Sequence, residues 1–156
     1  MIQEYQVSGF RVREYEELRS TNTEAERVGW DELEDKMVIL TYKQTQGRGQ
    51  VGNHWESEPG KNISMTVVFK PRELPAGQQF AVSMVIALGA CDFISRYVAG
   101  CTVKWPNDIY VGDRKISGIL IEHSIMGRYV GGSLCGIGVN INQEHFLSDA
   151  PNPVSL

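Results

Sequence analysis

Residues 77–98 constrain the fold more than any other part of the chain. Phe80, Met84, Leu88 and Cys91 recur at helical spacing, and Val85, Ile86, Phe93 and Ile94 make the segment apolar nearly all round. Such a helix is expected to be packed on more than one side. Its apolar run, residues 80–94, is interrupted by Ser83 and Asp92 and is expected to be too short to span a bilayer. It reads as a buried helix, with no membrane partner.

Strands supply the surface this helix needs. Residues 36–42 are a short apolar, β-branched run, and residues 62–69 have strand character bounded by Pro71 and Pro75. Beyond Gly100, residues 101–104, 115–122 and 129–142 are further strands, the last two joined by a turn at Met126-Gly127-Arg128. Gly112-Asp113 between Tyr110-Val111 and Lys115-Ile116 predicts a hairpin. Residues 10–15 add a strand, and residues 46–60, rich in Gly, Asn and Glu, form a loop. A second helix starts at Ser20-Thr21-Asn22-Thr23-Glu24, with Thr21 as cap and Glu24 completing a capping box, and runs towards Gly29. Strands and helices are mixed, with hairpins in the second half. The fold class is therefore α+β.

Composition narrows the function. The 156 residues are 42% hydrophobic and 22% charged, the balance of a soluble globular chain with one core. A net charge of −4 disfavours nucleic acid held on a general basic surface. Cys91, Cys101 and Cys135 are scattered without C-x-x-C spacing, and residues 1–5 lack a basic or apolar leader pattern. Reduced thiols and a cytoplasmic location are expected.

Gly47-Arg48-Gly49-Gln50-Val51-Gly52 matches G-x-G-x-x-G literally. A dinucleotide-binding loop must open directly into a helix, but Asn53-His54-Trp55-Glu56-Ser57-Glu58-Pro59-Gly60 is a poor helix. The loop still has glycines whose N–H groups can approach an anion, and Arg48 brings a planar cationic fork. A plain surface connection is the competing reading.

A second cluster is Lys104-Trp105-Pro106-Asn107-Asp108, where Trp–Pro gives a stiff extended step and the last two residues bring polar groups to a strand end. Lys115 follows in the hairpin. Gly118 and the run Gly136-Ile137-Gly138-Val139-Asn140-Ile141-Asn142 place glycines inside strands, which marks either close approach of a ligand or tight sheet packing.

Ser20-Thr21-Asn22, Gln44-x-x-Gly47-Arg48-Gly49, Trp55, Lys104-Trp105-Pro106-Asn107-Asp108, Lys115-x-x-Gly118-Ile119-Leu120 and Gly136-x-Gly138-x-Asn140 together resemble the biotin–protein ligase family. The resemblance covers nearly the whole chain, and the Lys-Trp-Pro-Asn-Asp motif is its most specific part. It implies a core like that of class II aminoacyl-tRNA synthetases, a mixed, largely antiparallel sheet flanked by helices. It implies activation of biotin by ATP to biotinyl-AMP and transfer to a lysine of a biotin carboxyl carrier protein or domain, with Mg²⁺ neutralising the departing pyrophosphate.

The resemblance also assigns residues. Lys115, Arg48 and Asp108 are the catalytic set. Biotin is expected at Ser20, Thr21, Asn22, Gln44, Gly47, Arg48, Lys115, Gly118 and Gly136. ATP and the adenylate are expected at Gly47, Arg48, Gly49, Trp55, Lys104, Asn107, Lys115 and Asn140, with Trp55 stacking on adenine. No metal-ligand cluster shows in the sequence. Where relatives continue the glycine loop with arginines, this chain has Gln50-Val51, so a weaker hold on phosphate is expected.

By the same resemblance residues 1–156 form one catalytic domain. The later part of that domain and an SH3-like domain are expected to be missing, and no DNA-binding domain precedes the motifs. A lipoate–protein ligase or acyltransferase of the same superfamily and a non-catalytic biotin-binding fragment are the alternatives. A homodimer is left open.

Overall fold

A hairpin opens the chain. β1 (Gln3–Val7) turns at Ser8 and Gly9, both at positive φ (50° and 81°), into β2 (Phe10–Tyr15). The computed structural model describes residues 2–50, 52–148 and 152–156. Val51 of the glycine loop and Pro151 near the carboxyl end lie outside them.

β2 pairs in parallel with β3 (Met37–Thr41), and α1 (Thr21–Val28) lies between them in sequence. Parallel neighbours cannot be joined by a tight turn, so a crossover element is required. Gly29 ends α1 at φ 84°, a conformation that favours glycine. From β3 onwards the sheet is antiparallel, through β6 (Asn62–Phe69), β10 (Tyr129–Asn140), β9 (Arg114–Met126), β8 (Asp108–Val111) and β7 (Cys101–Lys104). Its strand order is β1-β2-β3-β6-β10-β9-β8-β7. This is the expected α+β architecture with a mixed, largely antiparallel sheet.

The sheet is covered by different elements on its two faces. On one, Ala87 and Ile94 of α2 (Phe80–Ser95) pack with Ile109, Ile116, Ile119, Ile137 and Val139. On the other, Ala25 of α1 packs with Leu33, Met37, Ile39, Val68 and Leu134. Strand alternation sorts the residues. In β6, Ile63, Met65 and Val67 pack against the α2-side cluster, while Asn62, Ser64 and Thr66 are buried on the α1 side.

Three expectations need correction. α2 is packed on one side, not several: Val82, Ala87 and Ile94 are buried, whereas the spaced stripe of Phe80, Met84 and Leu88 is exposed. The sheet offers α2 one face, so an apolar sequence all round does not mean burial all round. With the 3-10 turn before it, Ala76–Ser95 is 20 residues, long and apolar enough by length and composition to cross a bilayer, although its apolar run looked too short. The loop at residues 46–60 also contains a small hairpin, β4 (Gly47–Arg48) with β5 (His54–Trp55).

Candidate active site

The site is built on the α1 face, and strand register sets its floor. Thr41, Ser64, Gly138, Gly118 and Asp108 are consecutive Cα partners across β3, β6, β10, β9 and β8. Opposed residues share a face, so the row runs from hydroxyls through bare backbone to a carboxylate. The next row along holds Thr66, Gly136 and Leu120. Above them lies a cavity of about 560 Å³, in the size range of small-molecule sites.

At the neutral end, Ser20, Thr21 and Asn22 line the cavity from the start of α1. The expected capping box does not form: Ser20, not Thr21, is the N-cap, and its side chain makes no capping bond. Gln44, just after β3, supplies the cap instead, its Oε1 accepting the Thr21 N–H at 2.9 Å. That satisfies one of the orphan donors of a helix start. Thr21 Oγ1 is hydrogen-bonded to Thr66 Oγ1 at 2.8 Å. Asn22 Oδ1 accepts from Thr66 Oγ1 at 2.5 Å, and Asn22 Nδ2 donates to Glu122 at 2.7 Å.

Arg48 also lines the cavity, beside Gly49 and Gln50, but its guanidinium is engaged within the protein. It pairs with Glu122, and Nη1 donates to Glu26 at 3.2 Å and to Thr23 at 3.3 Å. Partial burial works against the charge, yet Glu26 and Glu122 outweigh it and hold the Arg48 pKa above its ordinary value. Arg48 is thus a fixed cation bridging β4 to α1 and β9.

The charged end belongs to Lys115 and Asp108. Lys115 Nζ lies 2.8 Å from Asp108 Oδ1 and 5.9 Å from the centre of the Trp55 ring. Lys104 Nζ approaches Tyr110, 3.3 Å from its hydroxyl and 4.8 Å from the ring centre. Asn107 staples its turn to β9: its side chain donates to the Ile119 carbonyl at 2.8 Å, and its own carbonyl accepts from Ile119 N–H at 2.9 Å. Trp105, between them, is 75% exposed and stands outside the cavity.

The glycines hold room for this chain's own side chains. A Cβ on Gly118 would meet Trp55 Cζ3 at 3.0 Å, and one on Gly138 would meet Trp55 Nε1 at 2.5 Å. A Cβ on Gly136 would run into Asn22 Oδ1. Trp55 therefore lies across β9 and β10 with its N–H edge over Gly138, towards β6. Its Nε1 is buried without a hydrogen-bond partner among the described residues.

Two expected site residues stand apart from the cavity. Gly47 packs against the Trp55 carbonyl, where a Cβ would break the β4–β5 pairing. Asn140 is buried, and its Nδ2 donates to the Val154 carbonyl at 3.2 Å. Among the residues that escaped sequence analysis are Ser64, Tyr110, His54 and Ser148 on the cavity wall, and Thr66, Glu122 and Glu26 behind it. Ser64 and Thr66 had a signal, polar residues at alternate positions of an otherwise apolar strand. Among the described residues no group of three or more His, Cys, Asp or Glu side chains could hold a metal ion.

The pattern of the Biotin/lipoate A/B protein ligase family matches residues 15–140, most of the chain and every residue of this cavity except Ser148. The chain belongs to that family. Among its relatives in the family, the Bifunctional ligase/repressor BirA of Bacillus subtilis is 28% identical over 140 residues, spanning 89% of this chain and 43% of that protein. The Biotin--[acetyl-CoA-carboxylase] ligase of Paracoccus denitrificans is 34% identical over 124 residues, 78% of this chain and 51% of that one. The biotin protein ligase of Aquifex aeolicus, solved in complex with biotin and ATP, superposes with a TM-score of 0.74 at 24% identity, covering 92% of this chain and 58% of that one. The chain thus spans about half the length of these curated relatives. Its sheet is that of a biotin protein ligase catalytic core.

Proposed function

We propose that the chain activates biotin with ATP, giving biotinyl-AMP and pyrophosphate, and then transfers biotin to a lysine of a biotin carboxyl carrier protein or domain. The observation that carries this is the polarity of the floor. Neutral hydroxyl and amide groups gather where α1 begins, and the Lys115–Asp108 pair lies at the far end of the same row. Biotin has that polarity, a neutral ureido head on an acid tail. The name of the Paracoccus denitrificans relative, a biotin ligase, supports the same choice over lipoate.

In the first step a biotin carboxylate oxygen attacks the α-phosphorus and the bond to pyrophosphate breaks. Two unit charges at about 4 Å repel by roughly 4 kcal/mol at an effective dielectric near 20. Lys115 relieves that repulsion, since its ammonium has three donors and can keep Asp108 while turning another to the reacting oxygens. Arg48, held by Glu26 and Glu122, serves by fixing the glycine loop to α1 and β9. Mg²⁺ enters with ATP as part of the substrate. In the second step the carrier amine attacks the acyl carbon, the acyl–phosphate bond breaks and AMP leaves. Asp108 is the carboxylate placed to take the amine proton. The setting we assign is the cytoplasm, which suits three free thiols.

Biotin-dependent exchange of labelled pyrophosphate into ATP is the test. Exchange is expected in the wild type and a loss of about 100-fold or more in Lys115→Ala, the range for removing a preorganised charge donor. Biotin binding without exchange would reduce the chain to a binding module. Thermal stabilisation by lipoate and not by biotin would make it a lipoate ligase.

A further inference from the structure

We propose that Ser64 is a specificity-determining residue whose hydroxyl bonds the ureido head of biotin, an assignment that rests on the ligase reading above. Ser64 lines the cavity, is 2% exposed, and its Oγ has no hydrogen-bond partner among the described residues. A buried hydroxyl without a partner is costly, and at a cavity wall a ligand can supply that partner.

Its neighbours on the floor are already satisfied. Thr41 Oγ1 donates to the Glu16 carbonyl at 3.3 Å, and Thr66 Oγ1 is taken by Asn22 and Thr21. Ser64 is the hydroxyl left over. Directly opposite it is Gly138, over which the unpartnered Trp55 Nε1 is placed. A donor and a donor–acceptor therefore face one spot beside the glycine. The Lys115–Asp108 pair stands on β9 and β8, at least two strand spacings from β6, or roughly 9.5 Å. An acid tail drawn to Lys115 leaves the other end of an extended ligand at Ser64. That end must be neutral and must both donate and accept, as a ureido ring does.

The experiment compares wild type, Ser64→Ala and Ser64→Cys by calorimetry with biotin, with biotinol (the same head without the acid) and with ATP. Ser64→Ala is expected to weaken biotin and biotinol alike by about ten-fold, one hydrogen bond's worth. ATP affinity stays unchanged, and the ligand-free Tm stays level or rises, because an unsatisfied group has gone. Ser64→Cys, nearly isosteric, falls between the two.

Equal biotin affinities in wild type and Ser64→Ala overturn the assignment alone. So does a loss seen with biotin and not with biotinol, which would put the contact at the acid end. A lowered ligand-free Tm in both variants would reveal a partner within the protein and also overturns it. A wild-type chain that binds no biotin overturns the assignment together with the ligase reading beneath it.

Discussion

At the scale of single residues, this site depends on backbone that carries no side chain. Gly118 and Gly138 sit under the Trp55 indole, and the contact is too close for a methyl group at Gly138. Cβ atoms essentially never come this near to other heavy atoms, so Gly138→Ala must displace the ring. Displacing it costs the cation–π contact with Lys115, worth roughly 0.5–2 kcal/mol. The expected outcome is a shift in tryptophan emission with loss of most pyrophosphate exchange, while the far-UV spectrum stays as in wild type. An unchanged emission maximum with full exchange would mean that Trp55 is not held on the floor.

At the scale of elements, the segment after β10 is tied to the loop that carries Trp55. Glu56 accepts the N–H groups of Leu147 at 3.0 Å and Ser148 at 2.7 Å, and the Gln143 side chain donates to it at 2.9 Å. Burial pushes the Glu56 pKa up, but these donors outweigh it and hold the carboxyl below the ordinary value of 4.5. A depressed folded pKa means that the unfolded chain binds more protons. The stabilisation is therefore complete above the ordinary carboxylate range and is lost as pH falls through the lower folded value. Wild type is expected to exceed Glu56→Gln in Tm at pH 7, with the gap closing below about pH 4.5. A gap that does not narrow at all as pH falls below that range would show that the charge of Glu56 is not what holds the segment.

The elements also show what could be read in advance. β2, β3, β6, β9 and β10 were legible because one face of each meets apolar partners and leaves a period in the sequence, whereas α2 was read from a spaced stripe that is exposed and α1 from a capping box that does not form. β1 was not legible, since all five of its residues are exposed and it has no buried face to mark. β4 and β5 are two residues each, too short for any period. The motif residues of the site were legible by resemblance; their partners were not. Asn22 meets Glu122 across 100 positions and Arg48 meets it across 74, pairings that exist only once β9 lies beside β10 under α1. Ser64 and Thr66 mislead in another way. Alternating polar residues suggest a wet face, and here that face is buried beneath α1 and Trp55.

At the scale of the whole molecule, one sheet serves two cores, and the polar side chains of the floor share a face with one of them. Ile39 on β3 and Ile94 on α2 are both fully buried, in the α1-side and α2-side clusters respectively. Truncating either to alanine removes similar apolar volume and is expected to cost about 2–5 kcal/mol. Both clusters hang on the same central strands, so each variant should still unfold in a single transition, with circular dichroism and fluorescence coincident. Their effects on ligand binding should part. Ile39 is the Cα partner of Thr66, whose hydroxyl fixes Thr21 and Asn22, so a cavity there loosens the neutral end of the floor. Ile94 packs in the α2-side cluster, across the sheet from the side chains of Ser64 and Thr66. Under conditions where both variants are folded, Ile39→Ala is expected to weaken biotin several-fold and Ile94→Ala to leave it within about two-fold of wild type, the limit of additivity for separated sites. Equal losses in the two variants would mean that the sheet transmits packing defects from face to face, and the site would then depend on the whole core and not on its own side of it.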